Sequence, residues 1–227
     1  MTLPHFEALA PAAQEILGRF ALRPWSEDFY LAGSAALALH LGHRPVRDLD
    51  LMSGTNRLNG PERRDLLGDL LALEPGTVVE TARDGYLYAR LGESIGAAGI
   101  AVRLFYYPYP LIDPVEDAAG IAVASLADLG LMKLGAIISR ASRRDFVDLF
   151  LVCREIPLEE LLERAADKFG HVRDFPLQAL KGLADLSQIA GEPMPRLALP
   201  FSWEEVETWL RGEVHRLGRE RVGLPDA

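Results

Sequence analysis

Residues 31–52 read LAGSAALALHLGHRPVRDLDLM. The stretch predicts a short apolar strand, a Gly33-Ser34 turn, a helix of small apolar residues, a basic loop and a second strand that carries Asp48 and Asp50. Because alternate residues of a strand point to the same face, the two aspartates are expected side by side. Neighbouring carboxylates repel each other unless a cation lies between them, and Mg²⁺ prefers such oxygen ligands and also holds substrate phosphates.

The turn before the predicted helix supplies the second half of a phosphate site. Backbone N–H groups at a helix start bind anions, and Gly33 and Ser34 stand at that position. Ser34 is also a good N-cap residue, and the sequence leaves both roles open. A phosphate-binding turn next to a carboxylate pair indicates phosphoryl or nucleotidyl transfer.

Composition limits the class of protein and its setting. The chain has 227 residues, a net charge of −9 and a single cysteine, Cys153, which excludes an intrachain disulfide and a Cys-based zinc cluster. No uncharged apolar run reaches the length of a membrane helix, and no basic segment followed by an apolar core opens the chain. We therefore expect no membrane association and a reducing, cytoplasmic setting. The acidic balance argues against a generally basic nucleic-acid surface.

The order of the predicted elements indicates two lobes. Strands dominate the first part and helices the second, which is typical of an α+β protein with a helical extension. We predict an α/β lobe over residues 1–123 and a helical lobe over 124–227. The predicted strands cover 29–32, 48–52, 77–82, 86–91 and 100–106. The predicted helices cover 11–20, 34–41, 61–73, 126–139, 143–154, 158–169, 176–186 and 203–217.

A second informative stretch covers residues 131–150, LMKLGAIISRASRRDFVDLF. Asp145 and Asp148 lie three residues apart in an otherwise apolar helix, so they must be paired, hydrogen-bonded or associated with a metal. Lys133 is either a snorkelling surface lysine or a point charge that holds phosphates. The acids are either part of a site or structural partners of nearby arginines, and the role of Asp148 is left open.

Together the two stretches resemble the AbiEii/AbiGii-type nucleotidyltransferases, the toxins of type IV toxin–antitoxin systems within the DNA polymerase β-like superfamily. The resemblance rests on residues 31–51, on residues 120–152 and on YYPYPLID at 106–113. It implies an α+β fold in which a mixed nucleotidyltransferase-type β-sheet, flanked by helices, is followed by a helical C-terminal lobe.

The resemblance also implies a reaction and its participants. A nucleoside triphosphate is the substrate, Mg²⁺ or Mn²⁺ is the cofactor, and the acceptor is a hydroxyl group, often of tRNA. A cognate antitoxin protein is the expected partner. The residues implied are Gly33 and Ser34 for the triphosphate, Asp48 and Asp50 for the metal, and Lys133 and Asp145 in the active site. We further expect Arg44 and Arg47 to help Lys133 neutralise the leaving pyrophosphate.

One departure from the pattern matters. Polymerase-like enzymes carry a third carboxylate on a later strand, but the strand IAVRLFY (100–106) offers only Arg103 and Phe105 at the useful positions. Glu80 or Asp145 are the candidates to replace the missing acid. The alternatives are a catalytically decayed module that binds a nucleotide or a partner, and a nucleotidyltransferase that acts on a small molecule.

Overall fold

A computed structural model describes residues 3–92 and 99–222. The chain divides into two compact units, Met1–Ser125 and Leu126–Ala227. No helix in the part of the chain so described is long and apolar enough to span a membrane.

The first unit is built on a mixed sheet. Its strands within the described residues are β1 (Tyr30–Ala32), β2 (Leu49–Ser53), β3 (Val78–Arg83), β4 (Tyr86–Leu91), β5 (Ile100–Tyr106), β6 (Glu116–Ala118) and β7 (Ile121–Val123), in the order β3-β4-β5-β2-β1-β7-β6. The β1–β7 and β2–β5 pairs are parallel, and the other pairs are antiparallel. The predicted mixed sheet is confirmed.

Three helices accompany this sheet in the described part of the first unit: α1 (Pro11–Phe20), α2 (Gly33–Leu41) and α3 (Gly60–Leu73). Helix α2 packs on β1 and β2. Its residues 35–39 are all buried, as expected for a helix that is apolar all round. Gly42, with φ +58°, ends it because a left-handed residue stops the helical hydrogen-bond pattern.

Strand β2 places the acidic residues because its two faces differ. Leu49, Leu51 and Ser53 are buried, while Asp50 and Met52 are half-buried on the opposite face. The strand lies between β1 and β5, and its register sets Asp50 opposite Ala32 on one side and Arg103 on the other. The half-buried face of β2 therefore carries the predicted site residue Asp50.

Two short strands were not predicted from the sequence. The strands β6 and β7 have three residues each, which is too short to show a period-two pattern. They form a hairpin around Ala119 and Gly120, both at positive φ, and β7 is held in the sheet by parallel pairing with β1. The hairpin predicted around Asp84-Gly85 is present, with Gly85 at φ +75°.

The second unit is helical throughout its regular elements. They are α4 (Leu126–Ser139), α5 (Arg143–Val152), α6 (Leu158–Phe169), α7 (Phe175–Ala184) and α8 (Trp203–Val222), together with a short 3-10 helix at Ser187–Ile189. Helix α4 packs against α5, α6 and α7, and α8 packs against α5 and α7. The last helix is five residues longer than predicted, because the Gly at position 218 does not interrupt it.

A buried ion pair ties α4 to α6. The Lys168 ammonium donates a hydrogen bond of 2.7 Å to Oδ1 of Asp128, and both side chains are fully buried. Burial lowers the pKa of Lys168 although Asp128 acts in the opposite direction. Such a pair adds little net stability, but the removal of one partner leaves a buried charge without its counter-charge.

We predict that Asp128→Ala lowers the free energy of unfolding of the protein by about 3–5 kcal/mol, because the Lys168 ammonium then stays buried without this carboxylate. Urea unfolding followed by circular dichroism measures the change. Asp167→Ala, at an exposed position beside Lys168 in the same helix, is the control and should change stability by less than about 0.5 kcal/mol. Equal effects of the two substitutions would contradict the prediction.

Candidate active site

The predicted acid pair lies at the start of β2 in the first unit. Asp48 immediately precedes the strand and Asp50 is its second residue. The Asp50 side chain is 26% exposed and that of Asp48 is 45% exposed. Both carboxylates therefore remain open to a ligand while the backbone that carries Asp50 is fixed by a sheet neighbour on each side.

The start of helix α2 lies against this pair. Gly33 has φ +60°, and a Cβ atom placed on it would lie 2.7 Å from Oδ2 of Asp50. Only glycine allows both this backbone conformation and this approach. The N-cap residue is Ala32, and no side chain caps the helix. Ser34 is therefore not the N-cap, and the phosphate role remains as its prediction.

Arg103 on β5 bridges the two acids. Its Nη1 donates a hydrogen bond of 3.1 Å to Oδ1 of Asp50, and its Nη2 donates one of 3.4 Å to Oδ2 of Asp48. Its guanidinium carbon lies 5.1 Å from the centre of the Tyr88 ring on β4, in a cation–π contact. In the sequence, Arg103 stands where a third acid would be useful, and no role was predicted for it. We refer to Asp48, Asp50 and Arg103 as the Asp–Arg–Asp clasp.

The electrostatics of the clasp are those of a strong ion pair. Burial alone would lower the pKa of Arg103, but the negative charges of Asp50 and Asp48 and their hydrogen bonds outweigh it and raise the pKa. A guanidinium is charged at every physiological pH in any case. The clasp therefore carries one permanent positive charge against two carboxylates.

Glu80 does not supply the missing acid, so this alternative was wrong. It lies on β3, which is separated from β2 by β4 and β5, and three strand spacings amount to about 14 Å. Its carboxylate instead accepts a hydrogen bond of 2.9 Å from Nε of Arg90 on the neighbouring strand.

The two predicted basic residues of the loop before β2 differ in exposure: Arg44 is buried and Arg47 is exposed.

A second charged cluster lies in the helical unit. The Lys133 ammonium on α4 is 2.9 Å from Oδ1 of Asp145 and 2.7 Å from Oδ2 of Asp148, both on α5. Oδ2 of Asp145 also contacts Nη1 of Arg140 at 3.0 Å and accepts a hydrogen bond of 2.8 Å from the hydroxyl of Ser142. The predicted pairing with a nearby arginine is thus found for Asp145, whose partner is Arg140, whereas Asp148 is paired with Lys133. Neither contact excludes a role in a site.

The burial of Lys133 is compensated by its two acids. The lysine side chain is 9% exposed, and those of the acids are nearly or fully buried. Burial disfavours the ammonium, but Asp148 and then Asp145 outweigh it and raise the pKa of Lys133. The raised pKa therefore favours the charged form of the lysine. Lys133 is not a snorkelling surface residue.

The donor set of the clasp fits a hard divalent cation of the type that nucleotidyltransferases commonly use. Two carboxylates supply oxygen ligands, and Mg²⁺ is normally bound by one or two carboxylates together with water and substrate phosphates. Within residues 3–92 and 99–222, no group of three or more His, Cys, Asp or Glu side chains is placed to enclose a metal. The residues present thus fit an ion shared with a phosphate substrate and do not form an all-protein cage.

The structure brings together Gly33, Asp48 and Asp50 in the first unit, and Lys133 with Asp145 in the second. That the two groups serve one active site stays a prediction. Arg103 is the residue whose contribution the sequence did not reveal, because its partners depend on the parallel pairing of β5 with β2.

Comparisons with known proteins agree with the fold. A family model described as the nucleotidyl transferase AbiEii toxin of type IV toxin–antitoxin systems matches residues 15–200. An uncharacterized protein of Aquifex aeolicus is 31% identical over 192 residues, which cover 82% of this chain and 86% of that protein. The structure of MenT4, a nucleotidyltransferase toxin from Mycobacterium tuberculosis, is 16% identical, with a TM-score of 0.52 over 90% of this chain and 84% of the toxin. The predicted resemblance is confirmed.

We predict that Gly33→Ala lowers the free energy of unfolding by about 1–3 kcal/mol, because the alanine is strained at φ +60° and its Cβ meets the Asp50 carboxylate. Urea unfolding measures the effect. The control is Gly68→Ala in helix α3, where a Cβ meets no atom within 4 Å and the change should stabilise by about 0.5–1 kcal/mol. Two substitutions with the same sign would refute the special role of Gly33.

Proposed function

This chain belongs to the AbiEii family of nucleotidyl transferase toxins and is a nucleotidyltransferase, and we propose that it transfers a nucleoside monophosphate from an NTP to a hydroxyl group of tRNA in a metal-dependent reaction. We further propose that it acts as a toxin-like component in the cytoplasm and is controlled by a cognate antitoxin protein.

The observation that carries this proposal is the contact between the start of helix α2 and the acid pair. Gly33 brings the N-terminal end of the helix against Asp50, and Asp48 is joined to Asp50 through Arg103. A helix start binds phosphate through its N–H groups, and a carboxylate pair binds Mg²⁺. Side by side, the two features suit a magnesium–nucleotide complex.

In the proposed reaction, the acceptor oxygen attacks the α-phosphorus of the NTP in line with the bond to the β-phosphate. A new P–O bond forms between the acceptor oxygen and the α-phosphorus, and the bond between the α-phosphorus and the oxygen that bridges it to the β-phosphate breaks. Pyrophosphate leaves, and the hydroxyl proton passes to solvent or to the departing pyrophosphate. Asp48 and Asp50 are the residues that would hold Mg²⁺, which supplies charge neutralisation at the phosphate oxygens when bound. The start of α2, with the Ser34 hydroxyl, orients the phosphate chain.

We assign to Lys133 the neutralisation of charge on the leaving pyrophosphate, with Arg44 and Arg47 as helpers. The ammonium has three N–H donors, and two of them face Asp145 and Asp148. Asp145 already contacts Lys133, Arg140 and Ser142, so it suits a positioning role for Lys133 better than that of a base. Positioning together with fixed charge accounts for most of the rate in phosphoryl chemistry.

We predict that the wild-type protein transfers label from an α-labelled NTP in the presence of Mg²⁺ and total tRNA, and that Asp48→Asn lowers the rate by at least about 100-fold, because a fixed charge at the reacting phosphate is lost. Asp65→Asn, an exposed change on helix α3 of the same unit, is the matched control and should keep full activity. Chelation by EDTA should abolish transfer. Equal rates for the Asp48 variant and the wild type would overturn the metal role.

We predict that the label migrates with tRNA on a denaturing gel and that transfer weakens as salt rises, since binding to a polyanion releases counterions. The net charge of −9 makes this dependence a strict test, because only local basic residues can produce it. Parallel reactions with aminoglycosides and nucleosides as acceptors serve as the comparison. Label found in a small molecule and absent from RNA would replace the tRNA proposal by that of a small-molecule enzyme.

A further inference from the structure

Arg103 contacts both acids of the clasp, so each carboxylate has a cationic partner before any metal ion binds. Arg103 uses two different nitrogens for the two acids, 3.1 Å to Asp50 and 3.4 Å to Asp48. A planar guanidinium that spans two carboxylates lies between them. It therefore occupies the place in which a cation would otherwise balance their mutual repulsion.

The position of Arg103 is fixed by the sheet. Its Cα is paired with that of Asp50 on β2 and with that of Tyr88 on β4. The side chain is 29% exposed and lies over the Tyr88 ring at 5.1 Å. A side chain held by two ion pairs, a ring and two neighbouring strands is not a mobile surface arginine that an incoming ion would displace at little cost.

The charges of the clasp give the same result. Two carboxylates and one guanidinium carry a net charge of −1. One divalent cation changes this to +1, whereas two ions about 3.5–4 Å apart, as in two-metal sites, would raise it to +3 beside a fixed guanidinium. No third acid completes a cluster with them in the part of the chain that the structure describes, so a second ion has no further acidic protein ligand, and in the absence of nucleotide it has no charge balance from the clasp.

We propose that Arg103 is a built-in cation that replaces the second divalent ion, so that Asp48 and Asp50 hold a single Mg²⁺. This inference rests on the proposed function, in which the two aspartates bind the metal. Arg103 acts through the aspartates and is a positioning residue. It keeps one oxygen of each acid engaged and thereby fixes the orientation of both carboxylates toward the nucleotide phosphates.

The test counts Mn²⁺ ions by equilibrium dialysis of the full-length protein with a saturating α,β-methylene NTP analogue. After subtraction of the Mn²⁺ found with the analogue alone, the wild type should retain one Mn²⁺ per chain. Arg103→Lys, which keeps the positive charge, should also retain one. Arg103→Asp removes the cation and adds a carboxylate, so it should retain two. The double variant Asp48→Asn, Asp50→Asn gives the background and should retain none.

A second measurement avoids reliance on one variant. Arg103→Gln keeps a polar side chain without the charge, and without nucleotide it should bind Mn²⁺ at least about tenfold more tightly than the wild type, because the clasp changes from −1 to −2. Circular dichroism verifies that each variant is folded. Two Mn²⁺ per wild-type chain, or unchanged Mn²⁺ affinity in Arg103→Gln, would overturn the inference. A wild type that transfers nucleotide but holds two ions refutes only this inference, whereas absence of transfer refutes the proposed function.

Discussion

The proposed site of the first unit depends on one electrostatic arrangement. In it, Arg103 holds Asp48 and Asp50 together beside the start of helix α2. Two carboxylates on one strand face repel each other, and this cost must be balanced before any substrate arrives. The arginine provides this balance from the neighbouring strand. The three groups keep a formal charge of −1, and the glycine at position 33 lets the start of the helix come close to the Asp50 carboxylate.

Local patterns in the sequence predicted the elements well where the elements are locally determined. Strand β5 (Ile100–Tyr106) and helix α4 (Leu126–Ser139) have the predicted bounds, since apolar periodicity and flanking residues define them. The hairpin at Asp84-Gly85 followed from its turn residues. The β6–β7 hairpin was missed because its strands are too short to show a pattern, and only their pairing with each other and with β1 makes them strands.

The parts of the site differ in the same way, because some follow from the local sequence and others depend on how the strands pair. The proximity of Asp48 and Asp50 was predictable from the strand period, although Asp48 itself immediately precedes the strand and both acids meet at Arg103. The role of Arg103 was not, because the residue lies more than fifty positions away in sequence and meets Asp50 only through the parallel β2–β5 pairing. Glu80 was considered as a third acid for the same reason: without the order β3-β4-β5-β2, its distance from the acid pair cannot be known from the sequence.

The helical unit shows why two buried lysines with acidic partners need not have the same purpose. Lys168 meets Asp128, both are fully buried, and burial lowers the pKa of the lysine. Lys133 meets Asp145 and Asp148, retains 9% exposure, and has a raised pKa. The first pair is sealed from any ligand and can only join two helices. The second contains two carboxylates and two cations, Lys133 and the 64% exposed Arg140, so its formal charges balance. The raised pKa favours the charged form of Lys133, and its interaction with a nucleotide phosphate stays a prediction.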